Sequence, residues 1–134
     1  MSENQKTSVL VVDDNAKIRS LIVTILKSAN FTDITEADNG KTATEHLKKK
    51  RFDLVLTDWM MPEMSGLELL QFIRNGPEEM NQTPVMMITA SDRSDDIVAA
   101  AKWKVNGYIV KPFKINTVLA KINQVLANAA KKQA

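Results

Sequence analysis

Four short stretches of the chain are almost continuously apolar, which is the pattern of β-strands that are buried on both faces. Their sequences are SVLVVDD, DLVLTD, PVMMITA and GYIVK. A fifth stretch, DITEA, is less apolar. The pattern therefore predicts five strands, and it places the DITEA strand at an edge of the sheet.

Between the strands, apolar residues recur at the spacing of one helix face. They are Ile18, Leu21, Ile22, Ile25 and Leu26 in the first helix, and Ile115, Val118, Leu119, Ile122, Val125 and Leu126 in the last. Five strands and five helices thus alternate strictly along the chain. This alternation predicts an α/β fold with a mainly parallel, doubly wound sheet and helices on both of its faces.

Polar residues predict where three of the helices begin. Gly40 starts the second helix after an Asp38-Asn39 turn, and Ser65 caps the third helix. Ser94, or a neighbouring polar residue, caps the fourth.

The carboxyl ends of the strands are where chemistry is expected, because open α/β sheets bind ligands there, at the point where the strand order reverses. These ends carry three acids, a threonine and a lysine: Asp13, Asp14, Asp58, Thr89 and Lys111. If the strand order is 2-1-3-4-5, all five side chains lie around one pocket.

Length and composition narrow the possibilities. The 134 residues predict a single domain over residues 1–134, with a core over about 8–128 and flexible tails at 1–7 and 129–134. The 18 basic and 16 acidic residues nearly balance, so the charge gives no reason to expect nucleic acid. The absence of cysteine excludes disulfides, thiolate catalysis and cysteine-ligated zinc.

The opening sequence, MSENQKTS, lacks the apolar core of a signal peptide. No segment approaches the roughly 20 apolar residues that span a bilayer. We therefore predict a soluble, cytoplasmic protein without membrane insertion.

The five residues at the strand ends suit one kind of chemistry. Clustered carboxylates repel one another unless a cation joins them, and oxygen ligands without His or Cys favour Mg²⁺. A carboxylate such as that of Asp58 can also attack phosphorus and form an aspartyl phosphate. Phosphoryl transfer further needs a fixed cation and a hydroxyl donor, and Lys111 and Thr89 supply these groups.

The motifs VVDDN, LTDWMMPEMSG, MITAS and GYIVKPF occur in this order along the chain. In this combination, over residues 8–128, the chain resembles the receiver domains of two-component response regulators. Among these it is most similar to the stand-alone chemotaxis regulators of the CheY type. The resemblance implies a flavodoxin-like sheet of five parallel strands in the order 2-1-3-4-5, with five helices.

The resemblance also implies roles for individual residues. Asp58 would accept phosphate from a histidine kinase, Thr89 and Lys111 would bind the phosphoryl group, and Tyr108 would turn inward on activation. A cis bond between Lys111 and Pro112 is implied as well. The implied ligands of Mg²⁺ are three side chains and one backbone carbonyl, those of Asp13, Asp14, Asp58 and Met60.

A stand-alone receiver must signal through its own surface. It is a signalling protein rather than an enzyme, although it assists its own phosphorylation and dephosphorylation. Phosphorylation would shift a pre-existing equilibrium of the surface on the fourth helix, fifth strand and fifth helix. The predicted surface residues are Ile97, Tyr108 and Lys121, with Lys102, Lys104 and Lys114 nearby.

A basic rim around an apolar centre suits an acidic, amphipathic protein segment. If the resemblance extends to biology, that partner is the flagellar motor switch, and the alternative is a phosphorelay in which the chain passes phosphate to another protein. We expect a monomer without direct nucleic-acid contact.

Several of these residues have plainer explanations. Asp14 or Asn15 could cap the first helix, Thr89 could be an ordinary strand residue, and Tyr108 could be a half-buried aromatic with a solvated hydroxyl. The basic run KKKR, Lys48 to Arg51, is best explained as a solvated helix end that the helix dipole favours, with nucleic-acid binding as the weaker alternative.

Three other functions are compatible with a doubly wound sheet. Phosphatases of the haloacid dehalogenase type usually carry a second acid two residues after the nucleophile, and Met60 occupies that position here. A flavin carrier would need a phosphate-binding loop after the first strand, where DDNAK would repel an anion. A phosphate-independent binding module would have no need for the complete set of five polar residues.

The chain departs from its closest relatives at two places. Met60 and Ser91 occupy positions that flank the path of a water to the acyl phosphate and that are often polar or acidic in relatives. Because a thioether cannot orient a water by a strong hydrogen bond, we predict a longer-lived phosphorylated state. Trp103 and Lys104 replace smaller residues before the last strand, which leaves the output partner open.

Overall fold

The five predicted strands form one parallel sheet. The structure, a computed structural model, describes residues 3–133 and the side chains of residues 4–131, so residues 1, 2 and 134 of the predicted tails lie outside the described residues. The strands are β1 (Ser8–Val12), β2 (Asp33–Ala37), β3 (Leu54–Thr57), β4 (Val85–Thr89) and β5 (Gly107–Val110). Their order is β2-β1-β3-β4-β5, and every neighbouring pair is parallel. The predicted order, and the edge position of the DITEA strand, are confirmed.

The described residues form six α-helices, one more than predicted. They are α1 (Ala16–Ser28), α2 (Gly40–Lys49), α3 (Gly66–Arg74), α4 (Glu78–Asn81), α5 (Ser94–Lys102) and α6 (Ile115–Gln133), and a 3₁₀ turn covers Glu3–Lys6. The additional helix is α4, whose four residues make a single turn. One turn is too short for an apolar periodicity, so the pattern could not predict it. Within residues 3–133, the helices lack the combination of length and apolarity that crossing a membrane requires.

The sheet is covered on both faces because successive strand residues point to opposite sides. Val9 and Val11 of β1 pack with α1 and α6 in one apolar cluster. Leu10 and Val12 of the same strand pack with α2 and α3 in a second cluster. All four are at most 1% exposed, which explains the continuous apolar run that predicted this strand.

Two of the predicted helix starts are confirmed. The side chain of Asn39 accepts a hydrogen bond from the backbone of α2, which begins at Gly40. Ser65 caps α3 in a capping box with Glu68, in which each side chain accepts from the backbone N–H of the other. The Ser65 cap fixes the point at which the loop after β3 becomes a helix.

Ser94 itself does not cap the next long helix, and the N-cap position belongs to its polar neighbour Arg93. Ser94 is the first helical residue of α5, and the preceding residue, Arg93, makes no capping hydrogen bond through its side chain. Two acids in the first turn, Asp95 and Asp96, instead favour this helix end through the helix dipole. The hydroxyl of Ser91 donates a short hydrogen bond to Asp96, which ties the preceding loop to the helix.

Candidate functional site

Three of the predicted site residues are held by backbone hydrogen bonds just beyond the strands. The N–H of Asp13 donates to β2, that of Asp58 to β1 and that of Lys111 to β4, with N···O distances of 3.1, 3.1 and 2.7 Å. These bonds continue the parallel ladders past the strand ends. The three side chains therefore meet at the carboxyl edge of the sheet, as the strand order predicts.

Lys111 bridges two of the acids. Its Nζ lies 3.1 Å from Oδ2 of Asp13 and 3.1 Å from Oδ2 of Asp58. Both carboxylates are largely buried, with side chains 1% and 11% exposed. Since a buried charge is costly unless it is paired, Lys111 compensates the two carboxylates at once.

The third acid, Asp14, completes a group of oxygen ligands. Carboxylate oxygens of Asp13, Asp14 and Asp58 lie within 4.8 Å of one another. Asp14 is exposed and has no part in capping α1, because Asn15 accepts hydrogen bonds from Lys17 and Ile18 there. The cluster is therefore open to solvent on the side of Asp14, while Asp13 forms its buried base.

The charges at this site are not balanced by the protein alone. Burial raises the pKa of the Asp13 carboxyl above its usual value, although the N–H of Asn15 and the ammonium of Lys111 act in the opposite direction. The neighbouring charge of Asp58 adds to the increase. One lysine thus faces three carboxylates, and an added cation would reduce the repulsion among them.

The loop after β3 folds tightly around Asp58. Oδ1 of Asp58 accepts from the N–H of Trp59 at 2.7 Å and, more weakly, from that of Met60 at 3.4 Å. The loop then closes on itself where Gly66 donates its N–H to the carbonyl of Trp59 at 2.8 Å. These contacts fix the orientation of the Asp58 carboxylate before any ligand binds.

Gly66 is a site residue that the sequence analysis missed. A Cβ atom at this position would lie 2.1 Å from the carbonyl oxygen of Asp58, so no other residue type fits without a backbone shift. The available signal was a glycine directly after the helix-capping Ser65. Its significance depends on the fold of the loop, which the local pattern does not reveal.

Thr89 lies at the end of β4 and is fully buried. Its Oγ1 accepts the N–H of Ser91 at 3.3 Å, and among the described side chains it has no hydrogen bond to Asp58 or Lys111. In this conformation the Thr89 hydroxyl proton is therefore not engaged with the acidic cluster.

Ser91 connects Thr89 to Tyr108. The hydroxyl of Tyr108 donates to the carbonyl of Ser91 at 2.9 Å, so the phenol is hydrogen-bonded rather than simply solvated. Burial raises the pKa of Tyr108, with further contributions from nearby acids that include Asp96 and Asp58. Tyr108 therefore remains a neutral hydrogen-bond donor near neutral pH.

Most residues of the predicted output surface are exposed. Ile97 is 39% exposed, and three further apolar residues that the sequence analysis did not name are also exposed: Val98, Val110 and Ile115. Lys102, Lys104 and Lys114 are exposed as well. Lys121 is only half-buried, and its Nζ donates to Gln124 at 3.3 Å.

Trp103 is not part of this exposed face. Its side chain is half-buried against the apolar cluster that contains Leu70 and Val85. Trp103, where relatives often have a smaller residue, therefore adds mainly to the packing of α5 against the core. Lys104, which has a φ of 60°, turns the chain towards β5.

Comparisons with known proteins agree on one family. Residues 9–123 match the response regulator receiver domain. The chain is 43% identical over 122 residues to the chemotaxis protein CheY-3 of Vibrio cholerae, a match that covers 91% of this chain and 93% of the relative. It is 41% identical over 117 residues to the chemotaxis protein CheY of Pseudomonas aeruginosa, covering 87% and 94% of the two chains.

A solved structure supports the same assignment. The chemotaxis response regulator CheY4 of Vibrio cholerae superposes with a TM-score of 0.81 at 29% identity, over 89% of this chain and 98% of that one. Phosphorylation and magnesium are typical of this family. The chain belongs to the response regulator receiver domains and is of the CheY-like chemotaxis type.

Proposed function

We propose that this chain is a stand-alone response regulator that a histidine kinase phosphorylates on Asp58. The observation that carries the proposal is the double ion pair of Lys111 with Asp13 and Asp58, 3.1 Å each, next to the open carboxylate of Asp14. A lysine between two buried acids is already positioned to bind a third anionic group, such as a phosphoryl group on Asp58. Receiver domains of this type are signalling proteins rather than classical enzymes.

The proposed reaction is a phosphoryl transfer to the carboxylate of Asp58. One of its oxygens forms a bond to phosphorus while the bond from phosphorus to the imidazole nitrogen of the donor histidine breaks, and the imidazole takes up a proton. Backbone N–H groups of Trp59 and Met60 hold the other carboxylate oxygen in place. Because such a transfer depends mostly on positioning and charge neutralisation, a pre-oriented carboxylate is what the chain must supply.

The acidic cluster fits Mg²⁺ as the cofactor. Asp13, Asp14 and Asp58 offer hard oxygen ligands within 4.8 Å of one another, and the backbone carbonyl of Met60 is the proposed fourth protein ligand. When bound, Mg²⁺ would neutralise the phosphoryl oxygens in the transition state. The raised pKa of Asp13 is consistent with a site that needs additional positive charge.

After transfer, Lys111 and Thr89 would bind the phosphoryl oxygens. Lys111 would exchange its bonds to the two free carboxylates for a bond to the phosphoryl group. Thr89 would turn its hydroxyl from Ser91 towards the phosphate, and the loop that holds the Tyr108 hydroxyl would move with it. Both changes would alter the surface formed by α5, β5 and α6.

That surface would bind a downstream protein. Exposed apolar side chains such as Ile97 and Val98, with lysines around them, suit an acidic, amphipathic segment. Since the relatives are chemotaxis proteins by name, the flagellar motor switch is the proposed partner. The chain would act as a cytoplasmic monomer.

The proposal is tested by phosphorylation with acetyl phosphate in the presence of Mg²⁺. Mass analysis should show one added phosphoryl group on the wild type, which acid removes as it does from an acyl phosphate, and Trp59, next to Asp58, should report the change by its fluorescence. We expect the Asp58→Asn variant to gain no phosphate. The matched control is Asp95→Asn, an exposed acid of α5, which should be phosphorylated like the wild type.

Phosphate that needs Mg²⁺ and is absent only in the Asp58→Asn variant would support both the acceptor and the metal. Phosphate that remains in the Asp58→Asn variant would contradict the choice of acceptor. If the wild type gains no phosphate from acetyl phosphate or from a histidine kinase, the chain is a phosphate-independent binding module.

A further inference from the structure

A second concave surface lies at the opposite edge of the sheet from Asp58. It is a groove of about 720 Å³ between the carboxyl ends of α2 and α3 and the short helix α4. Helices run antiparallel to the strands in a doubly wound sheet, so these helix ends lie at the amino edge. We call it the basal groove, and its principal lining residues are Leu47, Lys48, Lys49, Arg51, Phe52, Phe72, Glu79 and Met80.

The floor of the basal groove is apolar. Leu47, Phe52 and Met80 are buried beneath it, and Phe72 is half-buried at its side. The volume is within the range of about 300–1,000 Å³ that is usual for ligand pockets. The groove can therefore accept one or two large apolar side chains.

The rim of the basal groove is basic. Lys48, Lys49 and Arg51 are exposed and make no ion pair with any other described residue, whereas Lys50 is paired with Asp33. Lys48 lies 6.0 Å from the centre of the Phe72 ring, so a cation and an aromatic face border the same opening. Glu79 is the acid on this rim, which leaves a positive balance.

The helix dipole explains why basic residues end α2, but it does not explain why three cations without an ion pair border an apolar floor. Charge complementarity selects an acidic occupant. The phosphate backbone of a nucleic-acid duplex would use the cations and leave the apolar floor empty, and the chain as a whole carries a net charge of only +2.

We propose that the basal groove docks an acidic, amphipathic segment of a partner protein. One aromatic or large aliphatic side chain of that segment would lie on the apolar floor beside Phe72, and flanking carboxylates would pair with Lys48, Lys49 and Arg51. Because the groove and Asp58 lie at opposite edges of the sheet, this docking is independent of phosphorylation. It gives the chain a constant attachment point in addition to the phosphorylation-dependent one.

The test is an NMR titration of the isotope-labelled full chain with a short synthetic peptide in which tryptophan and leucine alternate with aspartate and glutamate. We expect shift changes at residues 47–52 and 72–80, with equal affinity in the wild type and in the Asp58→Asn variant. Reversing two charges, Lys48→Glu with Lys49→Glu, should weaken binding at least about tenfold. The matched control is Lys27→Glu, an exposed lysine at the end of α1, which should change the affinity less than about twofold.

Two control peptides separate the contributions of charge and of apolar contact to binding. Replacing the acids by their amides should abolish binding if charge selects the partner, and replacing tryptophan and leucine by serine should abolish it if the apolar floor is used. Shift changes confined to α5, β5 and α6, or affinity that the double charge reversal leaves intact, would overturn the proposal. Stronger binding of single-stranded nucleic acid than of the peptide at the same residues would overturn it in favour of a phosphate-binding surface.

Discussion

Gly66 lies so close to the backbone of Asp58 that a single methyl group would collide with it. Its ideal Cβ position is 2.1 Å from the carbonyl oxygen of Asp58 and 3.0 Å from the Cα of Trp59. Those atoms belong to backbone and cannot move aside as a flexible side chain can. The tight loop that orients the carboxylate therefore depends on the absence of a side chain eight positions later.

We expect Gly66→Ala to destabilise the protein by about 1–3 kcal/mol, the usual cost of overpacking, and to reduce phosphorylation of Asp58. Urea unfolding and acetyl phosphate labelling measure the two effects. The control is Gly76→Ala, where the added Cβ would meet the Sδ of Met80 at 2.8 Å and a backbone atom, the carbonyl oxygen of Ile73, only at 3.2 Å. A flexible methionine can shift, so the loss should be smaller, and equal losses in both variants would contradict this explanation.

The side chain of Met60 is expected to affect the lifetime of the phosphorylated state. Its side chain is 68% exposed beside the acidic cluster, where a thioether binds water poorly. We expect Met60→Gln to shorten the half-life of the phosphorylated chain about fivefold, the equivalent of one hydrogen bond of roughly 1 kcal/mol to the attacking water. Glu63→Gln, an exposed change in the same loop, is the control, and a half-life that Met60→Gln leaves unchanged would contradict the prediction.

The edge strand β2 is fastened to its surroundings by side chains. Asp33, its first residue, accepts hydrogen bonds from Lys50 at 2.7 Å and from the hydroxyl of Ser8. Lys50 follows α2, and Ser8 begins β1. The carboxylate thus ties the strand to both neighbouring elements, which compensates for its having only one partner strand.

This contact makes the stability of the edge depend on pH. The hydrogen bond from Lys50, and then that from Ser8, lower the pKa of Asp33 below its usual value. A lowered pKa means that the stabilisation is present above the unfolded pKa of about 3.9 and is lost as the pH falls through the folded pKa. Because the pair is well exposed, its contribution is about 0.2–1 kcal/mol.

We therefore expect Asp33→Asn to be less stable than the wild type at pH 6 and to approach it below about pH 3.9. Urea unfolding of both proteins between pH 6 and pH 3 measures the difference. Lys50→Met should remove most of the same pH dependence, since Lys50 is its largest cause. A difference that stays constant over this range would contradict the assignment.

Arg74 joins elements that are far apart in the chain. Its guanidinium, at the end of α3, donates to the backbone carbonyls of Asn81, Thr83, Trp103 and Lys104 and to the side chain of Asn106. These acceptors lie at the end of α4, before β4, and between α5 and β5. Burial lowers the pKa of Arg74, and none of these five acceptors is a carboxylate.

Loss of the Arg74 guanidinium should destabilise together the segments that it joins at the amino edge of the sheet. We expect Arg74→Met to lower the free energy of unfolding by about 3 kcal/mol, because several carbonyls lose their donor at once. Arg93→Met, at an exposed arginine without a capping bond, should change stability by less than about 0.5 kcal/mol. Denaturant unfolding compares the two variants.

The folded fraction of Arg74→Met should still accept phosphate on Asp58, because the acidic cluster lies at the other edge of the sheet. A loss of phosphorylation in protein that is fully folded would show that the two edges are coupled. A stability equal to that of Arg93→Met would contradict the clamping role of Arg74.

The alternation of apolar runs and helix-spaced residues was sufficient to predict the order of the main elements along the chain, the parallel sheet and its edge strand. That information is local, because burial on both faces of a strand and on one face of a helix is written into neighbouring residues. The meeting of Asp13, Asp58 and Lys111 followed from the strand order 2-1-3-4-5, which the resemblance to receiver domains implied, since parallel strands end at one edge. Their roles in phosphorylation remain proposals.

Other features arise from contacts between distant parts of the chain. Three of these features depend on which loops pack together. They are the lack of room for a side chain at Gly66, the position of Ser91 between Thr89 and Tyr108, and the five hydrogen-bond acceptors of Arg74. Helix α4 is a single turn without a periodic pattern, and it forms one wall of the basal groove. Periodicity predicts which face of a helix or strand is buried. These features depend on which residues pack against that face, and only the tertiary structure determines those residues.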